Sequence, residues 1–398
     1  MVQKLSEFFK RAVEAVFPSE KNFESVLASG KKLKIYIGID PTSHDLHLGH
    51  STNFLLLKEL QELGHKIILL VGDFTAMIGD PSGRTSVRKP LTREEIEANL
   101  TTYKQQAKKI ITFTGQNPAE FKFNSQWLDQ LSLRDFIQIA ANTTIKQLIE
   151  RDMFQKRIAE GNPISAHEFL YPLLQGYDSV AMNIDVEVGG TDQTFNMLVG
   201  RELVKRYLNK EKFVITTKLL VNPKTGRKLM SKTEGNYVSL QEKPNDMYGK
   251  IMSMSDEVVP EFLNLCTLLT NEVIEGIQRL KIMETKKRLA FEIVKMYHGE
   301  KQAKFAEASF KSIIQEKQIP KSIPVIAVKT GATIAEILVM GKLATSMSDA
   351  KRLVNQGAVS GVRNSGHFTK FTNLKYVPET NFILKKGTRE YRRVQIKK

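Results

Sequence analysis

The order of apolar and polar positions in the first 71 residues is typical of an α/β domain. Residues 32–39 (KLKIYIGI) alternate as a strand does, residues 51–63 place apolar side chains at helical spacing, and residues 66–71 (KIILLV) form a continuous apolar run. A strand, a helix and a second, fully buried strand in this order are a βαβ unit with parallel strands. We therefore predict that the chain opens with a Rossmann-type α/β domain.

The pattern continues with more helices than strands. Two capping boxes, Thr92 with Glu95 and Ser165 with Glu168, mark helix starts. The predicted helices cover residues 92–111, 133–157, 165–180 and 191–207, and the predicted strands cover residues 184–188 and 213–221. We interpret residues 1–222 as the Rossmann-type domain, with a helical insertion at about residues 85–185. Residues 223–317, helical from residue 247 onward, form an all-α domain with a loop in front of it.

The last part of the chain changes character again. Residues 318–328 contain Pro320 and Pro324 and little periodicity, which indicates a linker over residues 318–330. Two short helical patterns, residues 333–339 and 348–355, then precede strand-like alternation up to residue 398. We predict a small α+β domain over residues 331–398.

Charge is concentrated in this last domain. The chain carries a formal net charge of +16, and residues 331–398 contain 13 Lys and Arg against 4 Asp and Glu. A basic domain favours a polyanionic partner such as nucleic acid. The single cysteine, Cys266, excludes an internal disulfide and a multi-cysteine zinc site. No run approaches the roughly 20 apolar residues of a membrane span, and residues 1–17 do not resemble a signal peptide, so we expect a cytoplasmic protein without a membrane partner.

A loop with three histidines follows the first predicted strand. Residues 41–50 (PTSHDLHLGH) lie where an α/β sheet opens its ligand crevice, facing the N-terminus of the next helix. His47 and His50 can donate hydrogen bonds to an anion, and Gly49 lets a flat base approach the backbone. The residues alone also fit a solvated loop or a metal site.

A second loop, residues 228–236 (KLMSKTEGN), offers two lysines and two hydroxyls. Alone, it is typical of a solvated basic loop. Together, the two loops resemble the signature elements of the class I aminoacyl-tRNA synthetases, H-x-G-H and Lys-Met-Ser-Lys-Ser. The first match is complete. In the second, Leu229 stands in place of the first lysine, although Lys228 lies one position earlier and Lys232 is retained.

The resemblance implies attack of an amino-acid carboxylate on the α-phosphorus of ATP, with pyrophosphate leaving. This chemistry needs positioning and stabilisation of negative charge, and no covalent nucleophile. ATP would arrive with Mg²⁺, without a metal held by the protein. Arg84 is a candidate pyrophosphate contact and equally fits an exposed turn. The residues that the resemblance assigns to catalysis are His47, His50, Thr42, Lys232, Thr233 and Arg84, and those assigned to the nucleotide are Gly49, Asp192, Met230, Ser231 and Lys232.

Two further segments resemble the tyrosyl-tRNA synthetases. They are residues 36–42 (YIGIDPT) and residues 171–178 (YPLLQGYD). In that family Tyr36 and Asp178 would bind the substrate phenol, and Tyr171, Gln175 and Asp80 would bind the α-ammonium group. Asp40 and Gln193 would line the same pocket. Spacing alone places Tyr171, Gln175 and Asp178 on one helix face, which could serve a substrate or an internal hydrogen-bond network.

The basic tail resembles the S4 RNA-binding fold, with Lys342, Lys351 and Arg352 on one surface. The resemblance implies a tyrosine–tRNA ligase that forms tyrosyl-adenylate and transfers tyrosine to the 3' end of tRNA(Tyr). It also implies a homodimer formed through the helical insertion. A tryptophanyl-tRNA synthetase is the alternative enzyme, and Tyr36 and Asp178 speak against it. The alternative from another class is a catalytically inactive RNA-binding protein, against which the intact His47 and His50 speak.

Overall fold

The structure is a computed structural model that describes residues 5–42, 45–82, 91–230, 237–312, 323–362, 368–387 and 390–397. The chain divides into two compact units, Met1–Ala303 and Lys304–Lys398. In the described ranges, no helix is both long enough and apolar enough to cross a membrane.

The first unit is built on a six-stranded sheet with the strand order β1-β6-β5-β2-β3-β4. Five strands run parallel, and β1 pairs antiparallel with β6 at one edge. The strands are β1 (Val13–Phe17), β2 (Lys34–Ile39), β3 (Lys66–Val71), β4 (Glu120–Phe123), β5 (Val186–Gly190) and β6 (Phe213–Thr217).

Helices pack on this sheet and follow it in the chain, and the last of them, α17, crosses the boundary between the two units. The helices up to the one that directly follows β3 are α1 (Glu7–Ala12), α2 (Glu20–Ala28), α3 (Leu48–Glu62) and α4 (Thr75–Ile78). Those between β3 and β6 are α5 (Arg93–Leu100), α6 (Tyr103–Ala107), α7 (Ser125–Leu128), α8 (Leu133–Ala140), α9 (Ile145–Ile149), α10 (Asp152–Ala159), α11 (Ala166–Ala181) and α12 (Thr194–Leu208). The later ones are α13 (Pro244–Met252), α14 (Val259–Leu265), α15 (Asn271–Gln278), α16 (Ile282–His298) and α17 (Glu300–Phe310), with 3₁₀ turns at Thr191–Gln193 and Asp256–Val258.

The predicted βαβ unit is confirmed. β2 and β3 pair in parallel with Ile37 opposite Leu69, and five of the six β3 residues are buried. An apolar run has no polar face to give to water, so it forms an inner strand covered by helices. The carboxyl ends of β2, β3 and β5 therefore open on one edge of the sheet, where ligands bind in such folds.

The sequence analysis did not predict two strands of this sheet, β1 and β4. β1 lies in the amphipathic N-terminal segment, and β4 lies inside the predicted helical insertion at about residues 85–185. Both are half-buried edge strands, so pairing with a neighbour stabilises them more than their own periodicity indicates. The helix predicted over residues 92–111 is divided into α5 and α6 by a turn at Thr101 and Thr102.

The second unit contains a five-stranded sheet with the order β7-β11-β10-β8-β9. Its elements are β7 (Val325–Lys329), α18 (Ile334–Met340), α19 (Met347–Asn355), β8 (Val359–Val362), β9 (Thr369–Lys370), β10 (Phe382–Lys386) and β11 (Glu390–Lys397). Leu338, Leu353 and Leu384 belong to its apolar core. β7 occupies part of the predicted linker at residues 318–330 and pairs in parallel with β11. Of its five residues only Val328 is buried, which explains the weak sequence signal.

Candidate active site

An open cleft with a volume of about 310 Å³ lies at the carboxyl ends of the central strands. Most of the site residues predicted in the first unit line it, although they come from segments up to 153 residues apart, from Asp40 to Gln193. They are Asp40, Thr42, His47, Gly49, His50, Asp80, Tyr171, Gln175, Asp178, Asp192 and Gln193. Four predicted residues, Arg84, Ser231, Lys232 and Thr233, lie outside the described residues.

The two histidines cap the N-terminus of α3. His47 is the N-cap, and its Nδ1 accepts a hydrogen bond from the Gly49 N–H at 3.0 Å. His50 Nδ1 accepts one from the His47 N–H at 3.2 Å, and the two rings lie 4.0 Å apart. Burial lowers the pKa of His50 to about 4. These bonds place the proton of each neutral ring on Nε2, and the lowered pKa keeps His50 neutral near pH 7 with one N–H donor.

The described residues that flank the second loop pack against the histidine element. On one side the Leu229 N–H donates to the Leu220 carbonyl at 2.8 Å, which closes a short hairpin. On the other side the Leu48 N–H donates to the Val238 carbonyl at 3.1 Å. A Cβ at Gly49 would lie 2.8 Å from the His47 ring and 3.4 Å from Met230 Cγ. The structure thus brings Met230, the last described residue of the second element, to the first element, with no room for a side chain at position 49.

Lys228 reaches the cleft that Leu229 also lines. Its ammonium forms an ion pair with Asp192, with 2.8 Å between Nζ and Oδ2. The side chain is half-exposed, so water screens this pair and it contributes little to stability. A lysine one position before the family's first lysine therefore supplies positive charge to the same cleft.

The other end of the cleft is built around Asp40. The Tyr171 hydroxyl donates to Asp40 Oδ2 at 3.0 Å, and the Thr75 hydroxyl donates to Oδ1 at 2.8 Å. A Cβ at Gly72 would lie 2.1 Å from Asp40 Oδ1, so only glycine fits there. Burial, with Asp40 nearby, raises the pKa of Tyr171 well above its usual range, and its phenol stays a donor.

Asp178 is buried and held by two donors. Trp127 Nε1 donates to its Oδ1 at 2.8 Å, and Asn124 Nδ2 donates to its Oδ2 at 3.2 Å. Burial raises the pKa of Asp178 well above its usual range, and the two donors oppose that change. Tyr36 lies behind the cleft wall, fully buried, and its hydroxyl is 2.9 Å from Ser179 Oγ.

Side-chain amides connect the remaining predicted residues. Gln193 Nε2 donates to Asp80 Oδ2 at 2.6 Å, and Asn196 Nδ2 donates to Gln175 Oε1 at 3.0 Å. Gln175 Nε2 also donates to Glu187 Oε1 at 3.2 Å. The polar face predicted for residues 171–178 thus has internal partners and also faces the cleft. Among the described residues, no group of three His, Cys, Asp or Glu side chains could hold a metal ion.

Sequence reasoning missed several residues that shape this cleft. Glu187 is a carboxylate in an otherwise apolar strand, which is a signal that could have been used. Asn124 and Trp127 follow the unpredicted strand β4, so nothing pointed to them. The missed residues are Asn124, Trp127, Ser179, Glu187, Asn196 and Lys212.

The three predicted RNA-binding residues lie in the second unit and are exposed. Lys342 follows α18 and has a positive φ of 55°. Lys351 and Arg352 lie on α19, where Arg352 is paired with Asp349 at 2.7 Å. The lysines therefore present their charge to solvent more fully than the arginine does.

Comparison with known proteins defines the class. The family model described as tRNA synthetases class I (W and Y) matches residues 28–315. A C-terminally truncated mitochondrial tyrosyl-tRNA synthetase from Aspergillus nidulans shares the fold, with a TM-score of 0.66 and 24% identity over 77% of this chain and 92% of that one. A tryptophanyl-tRNA synthetase from Encephalitozoon cuniculi has a TM-score of 0.55 and 17% identity, covering 76% of this chain and 88% of that one.

Sequence relatives narrow the class to one member. A tyrosine–tRNA ligase of Thermotoga maritima is 40% identical over 394 residues, which are 98% of this chain and 96% of the relative. A tyrosine–tRNA ligase 2 of Vibrio parahaemolyticus is 43% identical over 396 residues, 98% of this chain and 97% of the relative. The chain belongs to the class I tRNA synthetases and, within them, to the tyrosyl-tRNA synthetases.

Proposed function

We propose that this protein is an active tyrosine–tRNA ligase, which joins L-tyrosine to ATP and then transfers it to the 3' end of tRNA(Tyr). The observation that carries the proposal is the cleft itself. One end holds two histidine side chains at a helix N-terminus, and the other holds a buried carboxylate next to a buried phenol. The first end suits polyphosphate, and the second suits a substrate with a hydroxyl group to satisfy.

At the nucleotide end, adenine would stack against the backbone at Gly49, and Asp192 would bind the ribose hydroxyls. His47 and His50 would donate from Nε2 to the phosphates as charge moves onto the leaving pyrophosphate. Thr42 also lines the cleft and would contact the pyrophosphate. Mg²⁺ would arrive bound to ATP, since phosphate oxygens supply the ligands that this ion prefers.

Lys228 can replace the lysine that the family signature has at the position of Leu229. We propose that its ammonium leaves Asp192 when the ribose binds there, and moves to the phosphates. Its half-exposed position leaves it room to move, and the weak ion pair costs little to break. Lys232, outside the described residues, would act from the loop beyond Met230.

At the amino-acid end, Asp178 would accept a hydrogen bond from the substrate phenol, and Tyr36 would contact the same oxygen. The α-ammonium group would lie among Asp80, Tyr171 and Gln175, with Asp40 and Gln193 supporting that wall. The indole of tryptophan carries only one donor and no acceptor, so it cannot satisfy both a carboxylate and a phenol in one position.

The second unit would bind tRNA as an S4-like module through Lys342, Lys351 and Arg352, with phosphate contacts supplying most of the affinity. Exposed apolar residues on the insertion support a homodimer, because Leu133 and Ile137, four residues apart on α8, share one helix face and an exposed apolar patch marks an interaction site. The most exposed of them are Leu133 (75%), Ile145 (73%) and Ile137 (59%). We place the enzyme in the cytoplasm, where tRNA charging supplies translation.

Amino-acid-dependent ATP–pyrophosphate exchange with each of the twenty amino acids tests the proposal. We expect exchange with tyrosine alone. Exchange with tryptophan would contradict the assignment of the amino acid, and exchange with none would support the inactive RNA-binding alternative.

A further inference from the structure

A buried ion pair lies behind the amino-acid end of the cleft. Lys212 and Glu187 contact each other through Nζ and Oε2, with 0% and 2% of their side chains exposed. Glu187 lies on β5 and lines the cleft, whereas Lys212 directly precedes β6 and does not line it. A buried charge pair is expensive to desolvate and is weak evidence for stability, so its presence needs another explanation.

The ammonium of Lys212 has three hydrogen-bond partners for its three protons. Besides Glu187, it donates to Ser179 Oγ at 2.8 Å and to the Met197 carbonyl at 3.2 Å. Burial lowers the pKa of Lys212, and the carboxylate of Glu187 opposes that change. The full set of acceptors fits the charged form of the side chain.

Each side-chain partner of Lys212 touches a different part of the amino-acid pocket. Glu187 Oε1 accepts from Gln175 Nε2 at 3.2 Å, which orients that amide. Ser179 Oγ is 2.9 Å from the hydroxyl of Tyr36 and accepts a hydrogen bond from the Lys212 ammonium. The Lys212 ammonium is therefore hydrogen-bonded directly to Glu187, which orients Gln175, and to Ser179, which orients Tyr36.

The two helices that cover this ion pair leave space for it. A Cβ at Gly200 would lie 2.7 Å from Lys212 Nζ and 3.1 Å from Ser179 Oγ. On the facing helix, a Cβ at Gly176 would lie 3.1 Å from the Gly200 nitrogen. The absence of side chains at both positions is what admits the ammonium between α11 and α12.

We propose that Lys212 is a positioning residue for tyrosine: through Glu187 and Ser179 it orients Gln175 and Tyr36, the groups at the two ends of the bound amino acid. The inference rests on the proposed tyrosine activation. The hydrogen bonds of Lys212 go to Ser179, Glu187 and Met197 and to none of the residues proposed to bind ATP, so it acts on the amino-acid pocket.

The test is ATP–pyrophosphate exchange of Lys212→Met in the full-length chain, with the KM measured separately for tyrosine and for ATP. We expect the tyrosine KM to rise about tenfold or more, because small displacements of positioning groups have effects of that size. The KM for ATP should stay at the wild-type value. A parallel measurement with phenylalanine should show reduced discrimination, since the hydroxyl-binding group is displaced.

Gly200→Ala provides a second variant that keeps every polar group and places a methyl group against the ammonium at 2.7 Å and against Ser179 Oγ at 3.1 Å. It should raise the tyrosine KM in the same sense, and it keeps the proposal testable if Lys212→Met does not fold. Lys210→Met is the matched control, because Lys210 lies in the same loop and pairs with Asp185 at 3.0 Å, outside the cleft.

Unchanged tyrosine KM in the folded variants would overturn the proposal, and so would equal increases in both KM values. A loss of kcat with both KM values unchanged would show a purely structural role and would also overturn it. If the wild-type chain shows no tyrosine-dependent exchange, the proposed function fails instead, and the two failures are distinguishable in one experiment.

Discussion

Replacing Asp178 with asparagine should reduce both affinity for tyrosine and selectivity against phenylalanine. Asparagine has one acceptor and one donor group where aspartate has two acceptors. Trp127 and Asn124 each donate to one carboxylate oxygen of Asp178. The side-chain amide of Asn124 cannot rotate to exchange its nitrogen and oxygen, because its Oδ1 accepts from the Phe74 N–H at 3.0 Å. The amide nitrogen introduced at position 178 will therefore face a donor of either Trp127 or Asn124, and two buried donors will have no acceptor between them.

The size of the effect follows from these contacts. A hydrogen bond to a charged group contributes about 1.5–3 kcal/mol, so losing it should lower kcat/KM for tyrosine about 10- to 150-fold. Phenylalanine has no hydroxyl to lose, so its kcat/KM should change much less. The unpaired donors should also lower the free energy of unfolding by about 1–3 kcal/mol.

Exchange kinetics with tyrosine and phenylalanine, together with urea unfolding, measure both effects. Asp185→Asn is the control: Asp185 also has a largely buried carboxylate, which accepts from the Lys34 N–H at 2.8 Å, but it lies outside the cleft. It should lose stability and keep its selectivity. An unchanged ratio of kcat/KM for tyrosine over phenylalanine in Asp178→Asn would refute our placement of the phenol.

Three further predictions concern the phosphates, pH and tRNA. Lys228→Met should lower kcat for exchange about tenfold or more while changing stability by less than about 1 kcal/mol, as measured by kinetics and urea unfolding. Burial lowers the pKa of His65 to about 4, against about 6.5 when unfolded. The unfolded chain then binds the extra proton, so the free energy of unfolding of the wild-type protein should fall by up to about 2 kcal/mol as the pH is lowered from 7 to 5. His65→Gln should reduce this decrease, as measured by urea unfolding. The double variant Lys342→Glu/Lys351→Glu should weaken tRNA charging and its salt dependence, leaving exchange unchanged.

Each of these predictions has a result that contradicts it. For Lys228, a wild-type kcat would mean that the lysine does no more than pair with Asp192. For His65, the same pH dependence of stability in the variant and the wild-type chain would exclude the buried imidazole as its source. For the tail, Lys21→Glu, on exposed α2 of the first unit, is the control, and equal loss of charging in both proteins would argue against the RNA role of Lys342 and Lys351.

Periodicity predicted the centre of the fold well and its edges poorly. Inner elements such as β2, α3 and β3 bury one face or two, so their apolar pattern is strong. β1, β4 and β7 are stabilised by pairing with strands distant in sequence, and their own residues are mostly half-buried or exposed. The boundaries predicted for the domains remain predictions.

For the site, motifs identified candidate ligand-binding residues, and the structure places most of the described ones around one cleft. Sequence spacing did not indicate the residues behind them. Lys212 meets Glu187 only because β5 and β6 are parallel neighbours, with Glu187 opposite Val214. Trp127 reaches Asp178 only because β4 extends the sheet past β3. Such contacts depend on strand order, which local patterns do not specify.

A crystal structure with a non-hydrolysable tyrosyl-adenylate analogue would test the central claim most directly. We predict the phenol oxygen within about 3.2 Å of the Asp178 carboxylate, the adenine at Gly49, and the ribose on Asp192 with Lys228 displaced toward the phosphate. A phenol bound away from Asp178 and Tyr36, or a ribose that leaves the Lys228–Asp192 pair intact, would contradict the account.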